Sequence, residues 1–392
     1  MPFPLLLIAA VGSLVGVAGL LSSRAVTSLG AAGGAAASAP AAASVSLGRG
    51  ATVMLRAAGL AVTVGLLGLA LLGPDDPALN PAHRLAFGLL WPLVVPLAAL
   101  LGGFTRALSP LRTLGGGLLR LVDPDQAGVV DAPASWGVWP AAAGLLLIVW
   151  LEQAAPAEPA LLGVALAGYL LAHAAAAVRY GPAWLARGES LEVTADLIGR
   201  LSPLGRGSDG RLVLRGPRRS LAAPAPAGTL GIVAVLIGAH LFDFVADTSR
   251  WAALESLREG AALYAVRSAG LAALLALAAV RVRVLLAALV PLVLGYAVAH
   301  HTPVLLIEGQ AALRQLATPG IRAVADYELL PVVPVASFIL AVFLATHLLA
   351  VRTGHDLAFL RYDPRGARAV QFPLRAVLLV SLSGGLALRF LP

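Results

Sequence analysis

The stretch Pro331-Val-Val-Pro-Val-Ala-Ser-Phe-Ile-Leu-Ala-Val-Phe-Leu-Ala-Thr-His-Leu-Leu-Ala-Val351 holds no charged side chain and a single imidazole, His347. A helix rises 1.5 Å per residue, so about 20 consecutive apolar residues cross a hydrocarbon core of roughly 30 Å. Runs of the same kind recur at residues 3–22, 53–73, 85–103, 137–153, 160–178, 229–248, 263–280, 284–306 and 374–391. The sequence therefore predicts an all-α polytopic membrane bundle of ten transmembrane helices. Composition agrees: 59% of the 392 residues are hydrophobic, 12% are charged, and the mean hydropathy is +0.88. A soluble globular chain is about 25% charged, so this one lacks the polar surface to cover itself in water.

The charges between the runs alternate. Odd-numbered loops carry Arg24 and Arg49, then Arg106, Arg112 and Arg120, the series from Arg179 to Arg219, Arg281 and Arg283, and finally Arg352, Arg361, Arg365 and Arg368. Even-numbered loops are bare or balanced, as with Arg250 and Arg258 against Glu255 and Glu259. The positive-inside rule places the odd loops in the cytoplasm and both termini outside, in the cytoplasmic membrane. The net charge of +8 reads as this topological signal and not as a nucleic-acid surface. Residues 1–22 form the first span, or else a cleaved signal, although Met1-Pro-Phe-Pro-Leu5 lacks a basic n-region. Residues 23–52 are a flexible Gly/Ala/Ser-rich loop, 53–178 an N-terminal helix bundle, and 229–392 a C-terminal bundle. Between the bundles, 179–228 reads as an Arg-rich cytoplasmic loop or small subdomain. Within it, Leu191–Leu201 suggests an interfacial helix and Arg211–Leu214 a short extended piece.

The chain has no Cys and all 28 of its basic residues are Arg. Disulfides, thiolate metal sites, cysteine nucleophiles, Schiff-base lysines and Walker-type phosphate lysines are excluded. Gly-x-Ser-x-Gly, His-Glu-x-x-His and the P-loop are absent as well.

Ionisable groups inside a bilayer are costly and mark function or pairing. They concentrate in the second half. His240, Asp243 and Asp247 share one helix face, the aspartates about 60° and 20° round from the histidine. His300 and His301 follow on the eighth run, and Glu308 falls on the stripe of His301 if that helix continues past Pro303. The topology sorts these residues into an outer cluster of His240, Asp243, Asp247, His300, His301 and Glu308. An inner cluster holds His347 with His355 and Asp356, the last two in the loop after the ninth span.

Imidazoles with carboxylates suit Zn, Mn or Fe, and the same groups without a metal relay protons. A haem b between His240 and His300 or His301 is a third use. The alternative is that each histidine merely ties neighbouring helices together, as in a structural subunit bound to other membrane subunits. Leu108-Ser-Pro-Leu-Arg112 echoes Leu201-Ser-Pro-Leu-Gly-Arg206. In both, Ser before Pro can cap a helix, and Arg112 and Arg206 can meet a phosphate or lipid headgroup. Trp136, Trp139 and Trp150 bracket the fourth run as an aromatic belt, and Glu152 is a partner for Arg56 or Arg267 within the spans.

Several of these motifs resemble a known group. Phe242-Asp243, Ala299-His-His301 with Glu308-Gly-Gln310, and His347 with His355-Asp356-Leu-Ala358 are similar to multi-pass membrane proteins of actinobacteria and relatives carried under the label fenitrothion hydrolase. Trp150-Leu-Glu152, Leu201-Ser-Pro-Leu-Gly-Arg206 and Gly210-Arg-Leu-Val-Leu-Arg215 extend the resemblance, which covers the chain from about Leu72 onward. It implies hydrolysis of an organophosphorus ester by a metal-activated hydroxide, with the outer cluster as ligands and Glu308 as base. Transport of an ion across the membrane is the reading the residues themselves favour.

Overall fold

The structure, a computed structural model, describes residues 49–123, 125, 128–153, 157–206, 212–214, 221, 225–246, 283–322, 324–329 and 331–390. The expected spans at 3–22 and 263–280, together with Asp247, Arg250 and Arg267, lie outside the described residues. Asp243 and Arg206 are described by their backbone alone.

The apolar runs within the described residues are helical. In chain order the helices are α1 (Arg49–Leu72), α2 (Arg84–Leu101), α3 (Pro110–Val122), α4 (Trp139–Gln153) and α5 (Pro159–Tyr180). They continue with α6 (Ser190–Ile198), α7 (Thr229–Ala246), α8 (Leu286–Ala317), α9 (Val332–Arg361) and α10 (Pro364–Phe390). Five of them, α1, α2, α5, α8 and α9, are long and apolar enough to cross a membrane, and α4 and α7 contribute shorter apolar helices. Among the described residues the chain is all-helical apart from a small hairpin, and its apolar helices mark it as a membrane protein. In the hairpin β1 (Leu204–Arg206) pairs antiparallel with β2 (Leu212–Leu214), with Gly205 opposite Val213.

Helices in lipid gain little from hydrophobic burial against one another, so close packing of small residues holds them together. The α8–α9 pair shows this. A Cβ on Gly295 would collide with the Thr346 hydroxyl, and beside that contact the fully buried Tyr296 meets Phe343 edge-on at 4.9 Å.

At the other end of the bundle the short helix α6 lies in the protein core. Ser190, Glu192, Thr194, Ala195 and Ile198 have no exposed surface, and α6 packs on α2, α4 and α8. The expectation of an interfacial helix here is corrected, because α6 carries its polar partners with it. The Glu189 carboxylate caps it by accepting from the Leu191 and Glu192 amides at 3.0 and 2.5 Å and from the Tyr169 hydroxyl at 2.5 Å. Arg112 of α3 grips Glu192 with two bonds of 2.7 and 2.5 Å, and Arg106 reaches both Glu192 and Asp196. The Arg-rich third loop thus folds as α3 and a short turn, Thr105–Leu108, clamped to α6.

The two Ser-Pro echoes diverge. Ser109 caps α3 by accepting from the Arg112 amide at 3.1 Å, with Pro110 at the first helical position. Ser202 starts no helix. Its hydroxyl donates to the Leu100 carbonyl and accepts from the Leu204 amide, tying β1 to the end of α2. Gly102 closes α2 at φ 71°, and the Leu204 carbonyl passes where its Cβ would stand.

Helix α9 runs ten residues past its expected end at Val351, carrying Gly354 within it, since no proline intervenes before Pro364. His355 and Asp356 are therefore helical, not part of a loop.

Candidate metal centre

Three helices bring donors to one place. Glu152 stands at the end of α4, His240 is on α7, and His300 and His301 are adjacent on α8. Neighbours on a helix point about 100° apart, yet His240 packs against both His300 and His301. His300 stacks on His240 with ring centroids 5.8 Å apart and planes 25° from parallel. His301 meets His240 edge-on at 5.0 Å and Trp91 of α2 at 6.2 Å. The side-chain amide of Gln153, beside Glu152, donates to the Ala239 carbonyl at 3.5 Å and ties α4 to α7 next to His240.

Glu152, His300 and His301 each offer one ligand atom, and these atoms all lie within 4.8 Å of one another. His301 Nε2 stands 3.8 Å from Glu152 Oε1, beyond a hydrogen bond. Both ring nitrogens of His301 are buried without a hydrogen bond among the described residues. A polar ring so placed is costly unless something ligates it. An ion about 2 Å from each donor would bridge the separation, and nitrogen and carboxylate donors are the set Zn takes. Glu152, a donor here, was read in the sequence only as an ion-pair partner. The signal available was a lone acid ending an apolar run.

Among the expected donors whose side chains are described, Glu308, His347, His355 and Asp356 have other partners. Glu308 bonds Arg84 at 3.0 Å, because α8 widens into a π-helical stretch, Leu305–Gly309, just beyond Pro303. The wider turn rotates Glu308 off the His301 stripe. Asp243 lies one turn beyond His240 on α7. The expected inner cluster does not gather at one point. His347 bonds the Phe343 carbonyl at 2.7 Å, His355 faces the Gln371 amide oxygen at 3.2 Å, and Asp356 pairs with Arg352 at 3.4 Å.

Arg112 is spent on Glu192 and does not present itself to an anion. Its hydrogen bonds to that carboxylate push its pKa up. Burial pushes the Glu189 carboxyl up, against the bonds it accepts from Tyr169 and the α6 amides. Asp196 also moves up, burial outweighing the pull of Arg106.

No family model, no curated protein and no solved structure matches this chain.

Proposed function

We propose that the chain is a polytopic protein of the cytoplasmic membrane that binds one transition-metal ion, Zn, Mn or Fe, within its helices and serves its passage across the bilayer. Glu152, His300 and His301 are the ligands and His240 is the fourth donor. The observation that carries this is the convergence of ligand atoms of Glu152, His300 and His301 within 4.8 Å, with both His301 ring nitrogens unbonded among the described residues.

The proposed topology has ten spans with odd loops in the cytoplasm. Loop-to-loop contacts support it. The second and eighth loops meet through Arg322 and Asp76 at 3.5 Å and through Gln315 and the Ala78 carbonyl at 2.9 Å. The third and fifth meet through Arg112 and Glu192. Contacts thus join loops of like parity. In that frame the donors lie in the outer half of the membrane.

The test is elemental analysis of detergent-purified protein with His301→Ala, Glu152→Gln and, as control, His347→Ala. Near-stoichiometric metal that falls at least about tenfold in the first two and holds in the third is expected. Metal-free protein, or equal loss in all three, overturns the reading. The same donors would serve ester hydrolysis at a metal-bound hydroxide, as the fenitrothion hydrolase resemblance implies. Chelator-sensitive ester cleavage by protein that loads no metal into liposomes would favour that chemistry over transport.

A further inference from the structure

We propose that the cavity between α1, α2, α4 and α5 is a site for one acyl chain of a bilayer lipid, with the lipid's ester end at Thr105 and its tail against Trp91. This does not rest on the metal reading.

The cavity measures about 390 Å³, the size of a small-molecule site and far larger than a packing defect. Leu66, Phe87, Leu93, Leu147 and Leu166 supply walls from all four helices. Val62 and Leu147, both in the lining, are 51% and 46% exposed, so the space is open, not sealed. Three of the four helices are long and apolar enough to span the membrane. The medium beside the cavity is then hydrocarbon, and water gains nothing by filling a site that offers it so few polar partners.

Thr105, Ser109, Tyr169 and Glu189 of the lining stand beside the Arg106–Asp196 pair, while the Thr63 hydroxyl of α1 is taken up by the Gly59 carbonyl. The Thr105 hydroxyl is buried with no hydrogen bond among the described residues, a donor suited to an ester carbonyl. Toward the opposite end stands Trp91, also buried with its ring N–H unbonded among the described residues. A long apolar slot with a polar end matches a chain carrying an ester better than a compact solute, and the arginine end matches the headgroup level of a membrane. Trp91 also touches His301, so the tail of the bound chain ends one ring away from the proposed metal.

The experiment reconstitutes the full chain in phosphatidylcholine vesicles doped with a phospholipid bearing a diazirine on its acyl chain. After photolysis, cross-linked peptides are mapped by mass spectrometry. Labels are expected to concentrate on residues of α2 and α5 facing the cavity, several-fold above the exposed apolar start of α9 at Val332, Val333 and Phe338. They are expected to fall several-fold in Leu166→Trp, which fills the slot. Leu147→Phe provides a second filling variant should Leu166→Trp fail to fold, and an unchanged melting temperature and gel-filtration profile in the variant used show that the helices still pack. Labelling spread evenly over all apolar faces, or unaltered by filling, overturns the proposal. So does a benzophenone side chain at position 166 that cross-links to another peptide of this chain in place of lipid.

Discussion

At the scale of single residues, the most consequential charge is Glu192, 1% exposed and gripped by Arg112. Removing one partner of a buried pair leaves the other charge desolvated, at a cost of about 3–5 kcal/mol. Arg106 remains 3.2 Å away and shares the load, so Arg112→Ala should lower unfolding stability in detergent by about 2–4 kcal/mol. Adding Glu192→Gln should recover part of the loss, and a double variant no better than the single would refute the pairing account. Glu189 sets a pH dependence. Its carboxyl lies above the ordinary value of 4.5 because of burial, so the fold binds its proton more tightly than the unfolded chain does. Its contribution is full below 4.5 and is lost as pH rises through the raised value, and Asp196 acts in the same direction. Unfolding temperature should therefore drop as pH climbs from the Glu range toward neutrality, and Glu189→Gln should flatten the curve. A slope identical in the variant would show that other groups set it.

Between elements, the tightest joint is α8 on α9, where Gly295 faces Thr346. Gly295→Leu should separate the helices and cost several kcal/mol, as overpacking and lost contact combine. Thr346→Ala should partly rescue the smaller Gly295→Ala change, and melting curves of the two backgrounds read this out. This is also the level at which sequence reasoning succeeds unevenly. Apolar runs announce helices whatever they pack on, so α1, α2, α5, α8 and α9 were legible from hydropathy alone. Helix α6 was recognisable as a helix but not as core, because its Glu192 and Asp196 read as solvent-facing until the arginines that neutralise them are placed. The donors His240, His300 and His301 stood out as imidazoles in apolar surroundings. Glu308 was drawn onto the His301 stripe by an ideal 3.6-residue period, and a π-helical turn, which no short pattern announces, moved it to Arg84. Glu152 was missed because convergence of α4 on α7 and α8 is a tertiary fact.

At the scale of the molecule, topology is open to direct measurement, since the chain has no Cys of its own. Single-Cys variants at Asp76 and Arg322 should react with a membrane-impermeant maleimide from the outside of intact cells. Variants at Asp125 and Asp363 should react only after the membrane is opened. Reaction of Asp76→Cys and Arg322→Cys from opposite sides would contradict the contact between their loops, and the reverse assignment of both pairs would invert the orientation. The four proposed donors also straddle the long segment between the two halves of the chain, with Glu152 before it and His240, His300 and His301 after it. No partial chain released from synthesis before residue 301 can carry the complete set. An ion held there would therefore act as a quality mark, retained only by chains whose two halves have been finished and docked, and its binding energy would count toward the association of those halves.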